Sequence, residues 1–221
     1  MTGRQAEVNM EIYTLELGEL GANCYIAVTA PGRCIAVDIG GDSGFFLDFI
    51  SGKGLKLTKI LLTHGHFDHI GGVEDVRRAT GAEVYIHPDD AMMLTSPELS
   101  LHNNMAYGGF TPVTDYTAAV GDSVINDGEL SFKVIHTPGH SPGSVCYLCE
   151  DALFVGDTLF RGSCGRTDLR GSNPIDMRNS LRTLYLLSGD YRVLCGHGEG
   201  STLGEERRYN PFMAEYRKEY K

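Results

Sequence analysis

Residues 63–72 read THGHFDHIGG. Three histidines (His64, His66, His69) and an aspartate (Asp68) crowd into one turn of chain, a costly arrangement in a packed core, where every imidazole or carboxylate needs a partner. The stretch follows an apolar run, KILLT (Lys59–Thr63), that reads as a short buried strand. It precedes GGVEDVRRATG, which reads as a helix stopped by Gly81. In an extended segment, the one-residue spacing of His64 and His66 puts both rings on one side, able to grip one ion. Asp68 and His69 come where the chain turns into the helix and can reach a second ion. Gly65, Gly71 and Gly72 let the backbone turn tightly beside them.

A catalytic metal site needs neutral imidazoles and ionised carboxylates, with one coordination position left for water. Three segments downstream offer more of these groups: His140 in HTPGHSPGS, Asp157 in FVGDTLF and His197 in VLCGHGEG. Each is a lone ligand-type residue just after a strand-like run, with glycine close by. Any one alone is weak; together with the opening cluster they form a set.

The rest of the chain supplies a frame. Strand-like runs at Glu11–Leu17, Cys24–Ala30 and Cys34–Ile39 are punctuated by Gly21, Pro31–Gly32 and Gly40–Gly41. A helix follows, capped by Asp42 or Ser43 and ended by Gly52, with Phe45, Phe46, Phe49 and Ile50 as its apolar face. AEVYIHP returns as a strand, and 91–116 reads as a helix plus a long loop of the kind that often carries function. DSVINDGELSFKVIHTP reads as a hairpin turning at Asn126–Asp127–Gly128; GSVCYLCED and ALFVGD are two further strands. Ser172 or Asn173 caps a helix with Pro174 in its first position and Met177, Leu181, Leu184 and Leu187 as its stripe. YRVLCGHG is a last strand and loop, and GEERRYN a polar helix before Pro211. Each half runs strands, helix, strand, which suits two sheets packed face to face with helices outside.

Composition bounds the function. With 221 residues, 42% hydrophobic and 22% charged, the chain can bury a sizeable core. Its net charge of −10 disfavours nucleic acid and anionic membranes as partners. No apolar run approaches a bilayer span. The polar start lacks a signal peptide's apolar centre, so residues 1–9 read as a short disordered extension and 10–221 as one domain. The six cysteines lie mostly in strand-like runs, where free cysteine packs as a small hydrophobe; Cys146 and Cys149 lack a second pair to complete a zinc ribbon. That usage fits a reducing, cytoplasmic compartment.

The ordered set His64, His66, Asp68, His69, His140, Asp157, His197 resembles the metallo-β-lactamase superfamily, over nearly the whole chain from Met10 to about Phe212. The resemblance implies an α/β fold of the αββα four-layer sandwich type, with the site at one edge of the sheets. It implies two divalent metal ions, zinc first and iron or manganese as alternatives. His64, His66 and His140 would hold one; Asp68, His69 and His197 the other. Asp157 would bridge both together with a hydroxide, and Asp68 and Asp157 would be the catalytic carboxylates. FRGSCGRTDL and GHGEGSTLGEERRYNPF look like the short glyoxalase II-like hydrolases, implying a small-molecule thioester substrate such as S-lactoylglutathione. The extended C-terminal helical region that binds glutathione in longer glyoxalase II enzymes is not expected, since the chain ends soon after Pro211. A CGRTD segment also resembles the persulfide dioxygenases, in which His64, His140 and Asp157 would hold a single iron.

Other residues carry plainer expectations. Arg166 either forks onto a substrate carboxylate or makes an internal salt bridge, and Tyr107 in the long loop is a candidate substrate cover. Cys164 is expected to be packed or simply exposed. His136 reads as a strand histidine with support of His140 as its functional option, His87 as structural, His102 as solvated, and the EERR run from Glu205 as a solvated helix face.

Overall fold

The computed structural model describes residues 10–106 and 108–220. The extension at 1–9 and Tyr107 therefore lie outside the described residues. In chain order the strands are β1 (Ile12–Leu17), β2 (Ala22–Ala30), β3 (Arg33–Val37), β4 (Lys56–Leu61), β5 (Glu83–Ile86), β6 (Thr117–Ala118), β7 (Val124–Asp127), β8 (Leu130–His136), β9 (Val145–Cys149), β10 (Ala152–Gly156), β11 (Leu159–Phe160), β12 (Ser163–Cys164), β13 (Arg192–Cys195) and β14 (Ser201–Thr202). The helices are α1 (Ser43–Gly52), α2 (Phe67–Ile70), α3 (Val73–Thr80), α4 (His102–Met105), α5 (Pro174–Leu186), α6 (Leu203–Tyr209) and α7 (Tyr216–Glu219). Among these, no helix is long and apolar enough to cross a membrane.

One sheet runs β1-β2-β3-β4-β5-β6 and the other β14-β13-β10-β9-β8-β7, with β11–β12 a small separate hairpin. Period-2 alternation makes the sandwich. Along β2, Cys24 and Ile26 face outward onto Phe46 and Ile50 of α1 and Val73 and Val76 of α3. Tyr25 and Ala27 face inward onto Phe132, Tyr147 and Phe154 of the second sheet. In that sheet Cys146, Leu153 and Val155 turn outward onto Met177, Leu181 and Leu184 of α5 and Leu203 of α6. Three apolar interfaces separate four layers, helix, sheet, sheet, helix.

Polar bonds fix how the sheets meet. At one edge the Val145 N–H donates to the Thr63 carbonyl at 2.8 Å, the Tyr147 hydroxyl to the Leu62 carbonyl at 2.8 Å and the Tyr25 hydroxyl to the Cys195 carbonyl at 2.7 Å. Away from that edge, buried Asp127 accepts from Arg33, Thr29 and Thr58, tying β7 to three strands of the first sheet.

Several local expectations need correction. Phe45 is 58% exposed, so the buried face of α1 is Phe46 and Ile50. Asp42 adopts a left-handed conformation and does not cap α1 with its side chain; its carboxylate instead accepts the Gly18 N–H at 2.8 Å. The helix expected within 91–116 is the short α4, preceded by a 3-10 segment, Pro88–Leu94, started by His87, whose ring accepts the Asp89 N–H. Asn173, not Ser172, caps α5 by accepting from Ile175 and Asp176. The EERR run is not a solvated face: Glu206 is buried, and Arg207 donates to the carbonyls of Tyr185, Leu187 and Gly189.

Candidate metal centre

The ligand-type residues meet because of strand direction. β3, β4 and β5 are parallel, so their carboxyl ends share one edge. β8 and β10 each run antiparallel to β9, and β10 runs parallel to β13, so the second sheet presents three carboxyl ends to its own edge. Asp38, the His64 stretch, His140, Asp157 and His197 all lie just past such ends. His66 is still extended, at φ −71°, ψ 149°, and α2 starts immediately after it. Asp68 and His69 are thereby displaced from the His64–His66 pair.

The structure brings all seven residues together in three overlapping groups: His64, His66 and His140; His64, His69 and Asp157; Asp68, His69 and His197. Within each, the candidate ligand atoms lie within 4.8 Å of one another. His66 Nδ1 is 2.9 Å from His140 Nε2, and His69 Nε2 is 3.3 Å from His197 Nε2. His197 Nε2 lies 3.1 Å from an Asp68 oxygen. Asp157 stands between the groups, 3.5 Å from His69 through Oδ1 and 3.5 Å from His140 through Oδ2.

The partners behind the rings fix which nitrogens face inward. The Thr63 hydroxyl donates to Asp38 Oδ2 at 2.7 Å, so it can only accept from His64 Nδ1 at 3.1 Å. His69 Nδ1 donates to the same Asp38 oxygen at 2.9 Å, and His140 Nδ1 donates to the Arg166 carbonyl at 3.0 Å. Once each ring is neutral, as a metal ligand must be, its one proton is used on the outside and the Nε2 lone pairs of His64, His69 and His140 are left to the centre. Metal-ligating histidines are held in this way. His64 Nε2, His66 Nε2 and Asp157 Oδ1 are buried and have no hydrogen-bond partner. Lone pairs converging on buried space with no donor to satisfy them fit a bound cation.

Charge tuning differs across the site. Burial, reinforced by the neighbouring imidazoles, holds His64 well below its ordinary range, and burial with His140 beside it pushes His66 down to about 3. Burial also opposes charge on His69, but the carboxylates of Asp68, Asp157 and Asp38 outweigh it and raise that ring to about 10. Its hydrogen bond to Asp68 raises His197. Burial alone would raise Asp68, yet His69 and His197 hold its carboxyl well below the usual range.

Two glycines are required by close approach. A Cβ on Gly196 would lie 2.2 Å from Asp157 Oδ1, and one on Gly156, which sits at φ +48°, would lie 2.3 Å from the Thr63 hydroxyl. Over the centre opens a cleft of about 420 Å³, walled by Leu20, Phe67, Leu101, Phe160 and Leu169, with Cys164 and Arg166 on its rim.

The remaining candidates fall as follows. Arg166 borders the cleft, and its guanidinium makes a two-pronged pair with Asp168 at 2.7 and 2.9 Å. Tyr107 lies outside the described residues. Cys164 is partly buried and all six cysteines are free. His136 bonds to the Pro142 carbonyl at 3.0 Å rather than to His140, and its ring stacks on His87. His102, expected in solvent, packs edge-on between Phe67 and Phe110.

Sequence reading passed over three braces. Asp38 joins Thr63 to His69; an aspartate ending the apolar run CIAVD was a signal of the same kind as Asp157. Asp90 accepts from the Gly65 N–H at 3.0 Å, the Ser141 hydroxyl at 2.6 Å and the Gly143 N–H at 2.6 Å, joining the two histidine loops. Glu206 and Asn210 hold the β11–β12 hairpin of the cleft wall: Glu206 accepts the Gly162 N–H at 2.9 Å, and Asn210 donates to the carbonyls of Phe160 and Ser163. Only tertiary contact reveals these last two.

Comparison with known proteins agrees with this architecture. Residues 17–197 match the family model of the metallo-beta-lactamase superfamily, and the chain belongs to that superfamily. It is 35% identical to the probable metallo-hydrolase YqgX of Bacillus subtilis, over 90% of this chain and 95% of YqgX. It is 30% identical to the hydroxyacylglutathione hydrolase GloC of Haemophilus influenzae, over 92% of this chain and 98% of GloC. Among solved structures it resembles the BLEG-1 B3 metallo-beta-lactamase, with TM-score 0.87 and 34% identity over 92% of this chain and 99% of that one. It also resembles TTHA1623 in a di-iron-bound form, with TM-score 0.81 and 36% identity over 90% of this chain and 99% of that one.

Proposed function

We propose that this chain is a cytoplasmic, binuclear metal-dependent hydrolase of small thioesters of the glutathione type, with S-lactoylglutathione as the first substrate to try. The observation that carries the reading is the convergence of all seven ligand-type residues, with the Nε2 atoms of His64, His69 and His140 turned inward. Identity to a hydroxyacylglutathione hydrolase over almost the full length supports the substrate class.

His64, His66 and His140 would hold one divalent ion, Asp68, His69 and His197 the other, with Asp157 shared; zinc is the first choice for this mixture of imidazole and carboxylate. Ions so held supply a water of lowered pKa and polarise a carbonyl oxygen. The chain's own residues do the rest. Asp38 and Thr63 orient His69 and His64, and the Arg166 carbonyl orients His140. Asp157, inside the gap between the two groups, fixes their separation, and Asp68 holds His197. The apolar walls limit water around the acyl group, while the thiolate of a thioester leaves without a dedicated acid. Arg166, paired with exposed Asp168, can exchange that weak pair for a substrate carboxylate, and Tyr107 is proposed as a cover for the substrate.

Hydrolysis of S-lactoylglutathione should be compared with that of simple thioesters, esters, phosphodiesters and a β-lactam. Preference for the glutathione thioester is expected, and its loss in Arg166→Met through a raised KM would assign the anion contact. The competing reading is a persulfide dioxygenase with one iron on His64, His140 and Asp157. It predicts oxygen uptake with glutathione persulfide and no thioester turnover; that pair of results would replace our reading. The convergence of Asp68, His69 and His197 favours the hydrolase, since a single-iron site leaves those three without a task.

A further inference from the structure

His197 is held differently from the other histidines of the centre. His64, His69 and His140 each have a partner behind the ring, in Thr63, Asp38 and the Arg166 carbonyl. Among the described residues none stands behind His197, whose hydrogen-bonded nitrogen, Nε2, faces Asp68. Its side chain is 29% exposed, against 0% for His69. The ring is therefore placed by its main chain, and three glycines among residues 195–200 leave that segment little shape of its own. The shape comes from the opposite sheet. Asn23 of β2, itself buried, donates its backbone N–H to the Gly196 carbonyl at 2.7 Å. Its side-chain amide donates to the carbonyls of Cys195 and Gly198, each at 2.9 Å. We propose that Asn23 is a positioning residue of the metal centre: its amide clamps the loop of His197 and so sets the half of the site made by Asp68, His69 and His197.

The amide nitrogen of an asparagine carries two hydrogens, and here each meets one carbonyl, on either side of His197 along the chain. Carbonyls only accept, so the nitrogen of Asn23, not its oxygen, faces the loop. The backbone bond to Gly196 survives a change of side chain; the two amide bonds do not. Without them the Cys195 carbonyl still accepts from the Tyr25 hydroxyl at 2.7 Å. The Gly198 carbonyl keeps only a long 3.9 Å bond from the Cys195 thiol. The chain just past His197 is thus the part set free, and the approach of its ring to Asp68 and His69 loosens. None of these bonds involves His64, His66 or His140, so the consequence stays in one half of the centre. This inference rests on the two-ion reading of the site.

Metal-free wild type, Asn23→Ala and Asn23→Leu are titrated with zinc by equilibrium dialysis, each also in a His197→Ala background. Both variants should bind one ion as wild type does and the other about tenfold more weakly. In the His197→Ala background the same changes should add nothing, because the ring that the clamp places is gone. A general loss of structure would weaken both ions and would persist in that background. Either of those results, or wild-type affinity for both ions, would overturn the clamp. Leucine nearly keeps the volume of asparagine without its donors, so it serves if the alanine variant folds poorly. A wild type that takes up one ion only would instead refute the two-ion reading, and the clamp is then judged by amide exchange of the metal-free chains. Faster exchange in the Asn23 variants, confined to residues 195–200, would uphold it; unchanged or chain-wide exchange would overturn it.

Discussion

The two halves of the metal centre are built from the same residue type and tuned in opposite directions. His64 and His66 sit with His140 among neutral partners, a threonine hydroxyl and a backbone carbonyl, and burial keeps them uncharged. His69 is equally buried but faces Asp38, Asp68 and Asp157, and it holds a proton up to about pH 10. An imidazole's charge is thus decided by what stands behind and beside it, and carboxylates within hydrogen-bond reach outweigh complete burial. His64 and His66 can take a cation without releasing a proton; His69 and His197 must first give theirs up.

The largest effect should come from the residue that belongs to both halves. Asp157→Ala should reduce turnover to background and lower the metal content of both groups, read by elemental analysis and a thioester assay; full activity would sink the binuclear account.

Acidification should then separate the halves. Ligand protons must leave when an ion binds. His69 and His197 are raised, so metal affinity of their half should rise with pH and fall about tenfold per unit of acidification for each proton displaced. His64 and His66 are lowered and have no proton to release near neutrality, so their part of the first group should stay flat. Equilibrium dialysis on mild acidification should strip the Asp68–His69–His197 group first; simultaneous loss would contradict the contrast.

Removing the charge that creates the difference should blunt it. Asp38→Asn is the gentle choice, because Asp38 has φ 56° and asparagine tolerates that conformation. Its metal affinity at the carboxylate half should drop by about 10–100-fold, with a smaller change at the imidazole half and a flatter pH dependence. A smaller effect is expected outside the centre. Asn210→Ala would leave the carbonyls of Phe160 and Ser163 short of a donor, costing about 1–3 kcal/mol. Denaturant unfolding should show this, with metal content unchanged.

The sequence made the first-contact residues legible because each follows an apolar strand and has glycine beside it, a local pattern. The four layers were legible through strand periodicity: both faces of β2 and β10 are apolar because each sheet is covered on both sides. The braces were harder. Glu206 lies in a polar run, and only the approach of the β11–β12 hairpin makes it a buried acceptor. His136 is the satisfied strand histidine it read as, but its partners are the Pro142 carbonyl and the ring of His87, not His140. Pro142 is only six residues from His136, but Gly162 and His87 lie far along the chain from Glu206 and His136, and no local spacing announces them.

The most direct measurement is elemental analysis of metal per chain after expression in metal-replete medium. Two ions per chain, both lost in Asp157→Ala, are what the account predicts. A single iron that survives removal of His197 would contradict it and hand the chemistry to the dioxygenase reading.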